Sequence, residues 1–231
     1  MSNQSGIDDH SGEKAEPLAA GYKSINRQQV YPELYAFAQQ ASNGGKQLNI
    51  LDIGSGSGND AIEMAKLGHK VVAVEPSDLR HIAIRDHSHA NIEYRDGSLP
   101  ALDSVRQNEK FDLVMLSAVW QYVDPSDRVA SLIKIADTLK PDGKLIVVYP
   151  SPPSREHQFE ASPEMLKADI EAANKQLPKS KKLSISGDPV VLPDSRGRKS
   201  LDGRDLNFYT FTIETGHAQS LGPRDGWTPT P

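Results

Sequence analysis

The sequence predicts an α/β fold in which a doubly wound, mostly parallel sheet carries helices on both faces. Between residues 47 and 150, apolar runs alternate with helical patterns in the order β-α-β-α-β-α-β-α-β, which is typical of parallel strands joined by right-handed crossovers. The run Lys70 to Glu75 is nearly all apolar, as in a parallel strand buried on both faces. The β-forming segments Leu183 to Leu192 and Leu206 to Glu214 predict an antiparallel pair that closes the sheet.

The first half of the chain alternates strands and helices with recognisable boundaries. Apolar residues at helical spacing predict a first helix that Asn43-Gly44-Gly45 ends, and Gly68 ends a later one. Ser77 and Asp78 are typical helix starters. The predicted elements are a helix over Tyr31 to Ala41, a strand over Gln47 to Ile53, a helix over Asn59 to Leu67, a strand over Lys70 to Glu75, a helix over Leu79 to His87 and a strand over Asn91 to Arg95.

The second half continues the pattern and then becomes less regular. A strand over Phe111 to Ser117 is followed by Asp124-Pro125-Ser126, which opens a long amphipathic helix. The turn Lys140-Pro141-Asp142-Gly143 ends that helix, and a fifth strand covers Lys144 to Pro150. A last helix is predicted over Ser162 to Leu177, with Ser162 as its N-cap.

Composition bounds the domain organisation and the class of protein. A chain of 231 residues suits one domain over 21–214, with a core over 45–150, a variable part over 151–214, and disordered polar tails over 1–20 and 215–231. Cysteine is absent, which excludes disulfides, thiolate metal sites and a cysteine nucleophile. The polar, acidic start and the lack of a long apolar run predict a cytoplasmic protein without a membrane segment.

Charge is distributed unevenly. The net charge is -5, yet Lys175 to Arg204 contains eight basic residues and three acids. We interpret this basic loop as a solvated segment, with a site for RNA or another anionic substrate as the alternative. No metal site is predicted, because His81, His87 and His89 lack metal-binding spacing and are interpreted as a solvated helix end.

A glycine-rich loop follows the first strand of the core. Asp52 is followed by Gly54, Gly56 and Gly58, and bare backbone at such a place can approach a cofactor at a helix start. The nicotinamide fingerprint needs a glycine at position 59, which is Asn59, and no Gly-Lys-Ser/Thr indicates a P-loop.

The segment Asp52 to Gly58 resembles the first motif of class I S-adenosylmethionine-dependent methyltransferases. Later segments also resemble family motifs: Glu75 and Pro76 after strand two, Asp96 and Gly97 after strand three, Ser117 to Tyr122 after strand four, and Leu139 to Lys144 before strand five. The resemblance covers about residues 30 to 150. It implies S-adenosylmethionine as cofactor, with Glu75 at the ribose hydroxyls, Asp96 at the adenine amino group, and the segment after strand four at the methionine half.

The predicted cofactor contacts are Asp52, Gly54, Ser55, Gly56, Gly58, Glu75, Pro76, Asp96, Gly97, Ser117 and Ala118, with Tyr22 and Arg27 closing over the cofactor. Alternatives remain for several: the glycines could serve only a tight turn, Asp52 could bind loop amides, and Asp96 could form a turn with Gly97. Glu75 could likewise be a surface acid.

No catalytic residue is assigned from the sequence. Many relatives carry a histidine where this chain has Tyr122, and a tyrosine with an ordinary pKa of about 10 is a poor base at neutral pH. The candidates are Tyr122, Trp120 and His157, with Tyr149 and Arg155 as further substrate contacts; both aromatics after strand four could instead be ordinary half-buried rings.

Three functions follow from these observations. The leading hypothesis is methyl transfer to oxygen or nitrogen of a small molecule. The alternatives are an RNA or protein methyltransferase that uses the basic loop, and a non-catalytic module that binds S-adenosylmethionine. DNA amino methylation is disfavoured, because Ser151-Pro152-Pro153-Ser154 lacks the acid and the aromatic residue of that signature.

Overall fold

Eight strands form one sheet in a computed structural model, which describes residues 10–194 and 196–216. The helices are α1 (Ala15–Lys23), α2 (Arg27–Val30), α3 (Pro32–Asn43), α4 (Asn59–Lys66), α5 (Leu79–Asp86), α6 (Arg128–Thr138) and α7 (Pro163–Gln176). The strands are β1 (Asn49–Ile53), β2 (Lys70–Val74), β3 (Ile92–Arg95), β4 (Phe111–Ser117), β5 (Leu139–Ser151), β6 (Leu183–Ile185), β7 (Val190–Pro193) and β8 (Asn207–Thr215). Short 3-10 turns cover Gly12–Lys14, Trp120–Tyr122, Pro125–Asp127 and Lys179–Lys181.

The sheet topology confirms the predicted fold class. The strand order is β3-β2-β1-β4-β5-β8-β6, with β7 also paired to β8. Strands β1 to β5 pair in parallel, whereas β8 is antiparallel to β5, β6 and β7. The chain order reverses between β1 and β4, and open α/β sheets bind ligands at the carboxyl edge of such a switch point.

The core lies on both faces of the sheet because successive side chains of a strand point to opposite sides. In β4, Leu113 and Met115 pack on the face covered by α3 and α4, while Val114 and Leu116 pack on the face covered by α6 and α7. All four side chains are fully buried. The two cores hold the strand ends, and therefore the loops that follow them, in fixed positions.

The N-terminal segment differs from the predicted disordered tail over 1–20. Residues 15–23 form α1, whose Ala15 and Ala19 are buried against Leu79 and Ile82 of α5. Two alanines produce only a weak helical pattern, so the tertiary contact is what identifies this helix. Positions 1–9 of the predicted tail lie outside the described residues.

The C-terminal end of the fold also extends slightly beyond the predicted boundary. Thr215 is still part of β8 and is buried. Its hydroxyl donates to the carbonyl of Lys140 at 3.1 Å. Positions 217–231 of the predicted tail lie outside the described residues.

The predicted turn at Lys140 to Gly143 is incorporated into β5. Leu139 pairs with Phe111, and the register then shifts so that Lys144 pairs with Leu113. Asp142 has a φ of 61°, which allows the chain to bulge between these two pairings. None of the helices in the described part of the chain is long and apolar enough to cross a membrane.

Candidate functional site

A cleft opens at the carboxyl ends of β1 and β4, where the strand order reverses. The loops after β1, β2 and β4 line it from the sheet side, and residues from the N-terminal segment and the hairpin between β7 and β8 line it from outside. The predicted contacts that line the cleft are Tyr22, Arg27, Gly54, Ser55, Gly56, Glu75, Pro76, Gly97, Ser117, Ala118 and Tyr122.

The glycine loop is tied to the end of β2. The amides of Gly54 and Ser55 both donate to the carbonyl of Val74, at 2.8 and 3.1 Å. A Cβ on Gly54 would lie 2.5 Å from a methyl carbon of Val119, so this glycine is required for close packing against the loop after β4. Gly56 has a φ of +54° and presents bare backbone to the cleft.

Glu75 is the best-fixed acid of the cleft. Its carboxylate accepts hydrogen bonds from the amides of Gly56 (2.9 Å) and Ser77 (3.0 Å) and from the hydroxyl of Ser77 (2.5 Å). The side chain is buried, so these donors hold it in one orientation at the cleft wall. The interpretation of Glu75 as a surface acid is therefore wrong.

Asp52 lies below the glycine loop and does not line the cleft. Its Oδ2 is buried without a hydrogen-bond partner among the described residues. The amides of the glycine loop donate hydrogen bonds to the carbonyls of Val74 and Ser55 and to the carboxylate of Glu75. The alternative in which Asp52 binds these amides is therefore not observed. Burial raises the pKa of Asp52, and the nearby carboxylate of Asp60 raises it further.

Arg27 lines the cleft and pairs with a buried acid. Its Nη1 lies 2.5 Å from Oδ2 of Asp60, and Oδ1 of Asp60 accepts from the hydroxyl of Tyr35 at 2.9 Å. Burial acts to lower the pKa of Arg27, but the Asp60 carboxylate, together with Tyr31, Tyr35 and Asp52, offsets this effect and the pKa is raised. Arg27 therefore fastens the segment before α3 to the start of α4.

The N-terminal segment brings His10 and Tyr22 to the cleft. The Nε2 of His10 and the hydroxyl of Tyr22 are 3.2 Å apart, and the His10 ring stands edge-on to Tyr122 with centroids 5.4 Å apart. His10 was not among the predicted site residues, because the tail that contains it was predicted to be disordered. Only the packing of α1 on α5 indicates its position.

Several predicted site residues do not line the cleft. Trp120 is fully buried in the core, with the Arg128 guanidinium 5.7 Å from its ring centre. Tyr149 is also fully buried and stacks on Tyr209 and Phe211. His157 is half-buried outside the cleft.

Two further predicted cofactor contacts have other positions. Asp96 is 72% exposed and forms an ion pair with Arg80 at 2.9 Å, which turns it away from the cleft. Gly58 begins α4, where a Cβ would lie 2.8 Å from the Tyr94 hydroxyl and 2.9 Å from Ala83 Cβ. Gly58 therefore serves the turn and the close packing at the start of this helix. This agrees with the alternative in which the glycines form a tight turn and do not contact the cofactor.

Three polar atoms of cleft residues are buried without a hydrogen-bond partner among the described residues. They are Oγ of Ser55, Oγ of Ser117 and Oε1 of Gln121. Buried polar groups are normally satisfied, so unpaired ones on residues that line a cleft are suited to a polar ligand. Next to them, Ala118 has a φ of 60°, and such backbone strain is common at functional sites.

The outer half of the cleft contains residues from distant parts of the chain. Gln158 Nε2 donates to the hydroxyl of Tyr122 at 3.1 Å, and burial raises the pKa of Tyr122. Arg155, Asp194, Arg196, Arg198 and Phe208 complete this half. Except for Arg155, sequence reasoning did not select them for the cleft, since only the fold of β7 onto β8 brings them there.

Comparison with known proteins agrees with this geometry. A family model described as a methyltransferase domain matches residues 24–180. The ubiquinone biosynthesis O-methyltransferase of Bradyrhizobium diazoefficiens is 34% identical over 103 residues, which cover 43% of this chain and 39% of the relative. A relative of the same name from Chelativorans is 37% identical over 103 residues, with the same coverage. The match thus spans about two fifths of these relatives.

Solved structures share the fold at low sequence identity. The magnesium protoporphyrin IX methyltransferase of Synechocystis aligns with a TM-score of 0.64 and 14% identity, covering 92% of this chain and 97% of that one. The 1,6-didemethyltoxoflavin-N1-methyltransferase of Burkholderia thailandensis aligns with a TM-score of 0.57 and 17% identity, covering 89% and 90%. With the family match over residues 24–180, these findings show that the chain belongs to the methyltransferase-domain family of class I S-adenosylmethionine-dependent methyltransferases.

Proposed function

We propose that the protein transfers a methyl group from S-adenosylmethionine to oxygen or nitrogen of a small molecule. The observation that supports this is one continuous cleft with two chemically different halves. Bare glycine backbone and a fixed carboxylate line the inner half, and tyrosine, glutamine and arginine side chains line the outer half. A cofactor in the inner half and an acceptor in the outer half would therefore share one enclosed space.

The inner half has the groups that the cofactor requires. Glu75 presents a charged acceptor suited to a pair of ribose hydroxyls, and Gly56 allows close approach of a bulky ligand. The unpaired oxygens of Ser117 and Gln121 are available to polar groups of the methionine half. Asp52 lies beneath the loop and outside the cleft lining, and burial raises its pKa, so we assign it no contact with the cofactor.

The outer half has to position the acceptor and take its proton. S-adenosylmethionine supplies an activated methyl group on a sulfonium, so positioning and proton removal are the main tasks left to the protein. His10 is the one histidine among the described cleft residues, and its contacts with Tyr22 and Tyr122 orient the ring. We assign His10 as the proton acceptor, with Tyr122 as a positioning residue.

The relatives agree with a small acceptor. One is named for O-methylation in ubiquinone biosynthesis and one for N1-methylation of a didemethyltoxoflavin. The RNA or protein alternative is less favoured, because several basic residues of the 175–204 segment are neutralised within the fold. Lys181 pairs with Asp137, Lys199 with Asp205 and Arg204 with Asp202.

The test is a labelled methyl-transfer assay with a panel of phenols, catechols and amines, preceded by calorimetry with S-adenosylhomocysteine. We expect S-adenosylhomocysteine to bind and the labelled methyl group to appear in at least one of the small molecules. His10→Asn should keep the calorimetric affinity and lower turnover at least tenfold, with partial rescue by added imidazole. His81→Asn, on an exposed face of α5, is the matched control. Absence of S-adenosylhomocysteine binding would refute S-adenosylmethionine as the cofactor. Full activity of His10→Asn would refute His10 as the proton acceptor.

A further inference from the structure

Three arginines meet at the outer half of the cleft with too few carboxylates to neutralise them. Arg155 follows β5, whereas Arg196 and Arg198 lie in the hairpin between β7 and β8. No carboxylate among the described residues forms an ion pair with Arg155. Its neighbours are the hydroxyls of Tyr22 and Tyr122, and although burial acts to lower the pKa of Arg155, these partners raise it.

Arg196 and Arg198 share a single carboxylate. Asp194 accepts from Nε of Arg198 at 3.0 Å and from Nη2 at 3.1 Å, while Nε of Arg196 is 3.8 Å away. The Arg198 guanidinium also lies 5.8 Å from the ring centre of Phe208, which fixes its position at the cleft wall. Burial lowers the pKa of Arg196, and the positive charges of Arg198 and Arg155 lower it further, while Asp194 acts in the opposite direction, so Arg196 lies near both of the other guanidiniums.

The other acids of the cleft are engaged elsewhere. Glu75 accepts from Gly56 and Ser77, and Asp60 is held by Arg27 and Tyr35. Asp124 accepts from the amide and hydroxyl of Ser126, and Asp127 belongs to the same loop. Among the described residues, Asp194 is thus the one carboxylate that pairs with any of the three arginines, so this cluster has more positive than negative charges, and an arriving anion would neutralise the difference.

We propose that the methyl acceptor carries a carboxylate or phosphate group, which Arg155 and Arg196 bind at the outer end of the cleft while Arg198 and Asp194 hold the hairpin in place. This inference rests on the proposed function. Guanidinium groups bind both anions through paired N–H donors, so the shared chemistry is an oxyanion. The anion at the arginines and the methyl-accepting atom toward His10 would orient the acceptor along the cleft.

The experiment measures binding of three probes to the full chain saturated with S-adenosylhomocysteine. The probes are benzoate, phenyl phosphate and the neutral benzamide. We expect at least one anion to bind tenfold or more tightly than benzamide, and the preferred anion distinguishes a carboxylate from a phosphate acceptor. Arg155→Gln and Arg196→Gln should each lower anion affinity about tenfold and leave benzamide unchanged.

Arg204→Gln is the matched control, since Arg204 is an exposed arginine of the same hairpin that pairs with Asp202 outside the cleft. It should bind the anions as the unaltered chain does. Equal affinity for benzamide and the anions, or equal loss in the control, would overturn the proposal. Displacement of phenyl phosphate by a ten-nucleotide oligouridine at equal phosphate concentration would also overturn it, in favour of RNA.

The anion site and the proposed function can fail separately. Loss of S-adenosylhomocysteine binding would refute the cofactor assignment before any probe is added. The chain could instead bind the cofactor and bind anions through the arginines, yet transfer no methyl group to any anionic phenol or amine. That result would refute the enzymatic function and retain the anion site.

Discussion

Gly56 and Gly58 are two residues apart in one motif, yet their alanine variants should fail in different ways. Both have positive φ, +54° and +78°, so an alanine at either position pays the cost of left-handed backbone, about 1–2 kcal/mol. At Gly58 the new Cβ also meets the Tyr94 hydroxyl at 2.8 Å and Ala83 Cβ at 2.9 Å. Overpacking a core in this way costs a further 1–3 kcal/mol or so.

Gly58→Ala should therefore lose about 2–5 kcal/mol of unfolding free energy in urea, measured without cofactor. At Gly56 the nearest atom to the new Cβ is Leu79 Cδ1 at 3.8 Å, an ordinary contact, so Gly56→Ala should lose only about 1–2 kcal/mol. The methyl group then occupies the cleft. Calorimetry should show at least a tenfold loss of S-adenosylhomocysteine affinity in Gly56→Ala.

Folded Gly58→Ala should bind S-adenosylhomocysteine with an affinity near that of the unaltered protein, because residue 58 does not line the cleft. If Gly58→Ala were the more stable variant, or if it lost cofactor affinity as strongly as Gly56→Ala, the assignment of one glycine to packing and the other to ligand approach would be wrong.

Three further predictions concern the acids around the glycine loop. Glu75→Gln removes a charged acceptor whose hydrogen bonds are worth roughly 1.5–3 kcal/mol each, so S-adenosylhomocysteine affinity should fall at least tenfold by calorimetry. The control Glu63→Gln, at a partly exposed glutamate outside the cleft, should leave this affinity unchanged. Arg27→Ala leaves buried Asp60 without its cation and should lower the free energy of unfolding in urea by about 3–5 kcal/mol. Arg85→Ala, which breaks an exposed ion pair with Glu16, should have little effect on this free energy. Equal losses in the two variants would contradict the role of burial. Because the pKa of Asp52 is raised, the Asp52 carboxyl binds a proton more tightly in the folded protein than in the unfolded chain. The contribution of this group to the free energy of unfolding therefore declines as the pH rises from about 4 to the raised pKa of the folded state. Denaturation at pH 5 and pH 8 should show that Asp52→Asn lacks this decline, and an identical pH profile in both proteins would rule the assignment out.

Local patterns identified most of the framework because its elements are recognisable from neighbouring residues. Strand β4 has the predicted bounds, and α7 begins after Ser162, whose hydroxyl accepts from the Met165 amide as an N-cap does. The apolar alternation of the core requires strands buried on both faces, and the glycines mark the loop that follows β1. These features depend on a few adjacent side chains and are therefore visible in the sequence.

The position of a side chain relative to the cleft could not be predicted from neighbouring residues. Trp120 and Tyr122 are two residues apart, but the 3-10 turn between Trp120 and Tyr122 buries the first and directs the second to the cleft. Asp96 follows a strand as the family motif implies, yet the guanidinium of Arg80 holds it outside. Such outcomes depend on partners that sequence spacing does not reveal.

The sequence alone determined the α/β class, the glycine loop after β1 and the acid at the end of β2, since repeated apolar periods and positive-φ glycines allow few other structures. Only the tertiary structure decided which residues face the acceptor. His10 reaches the cleft because α1 packs on α5, and the arginines reach it because β7 pairs with β8. Packing and pairing between separate elements leave no pattern within either element, so the outer half of the cleft is a product of the fold.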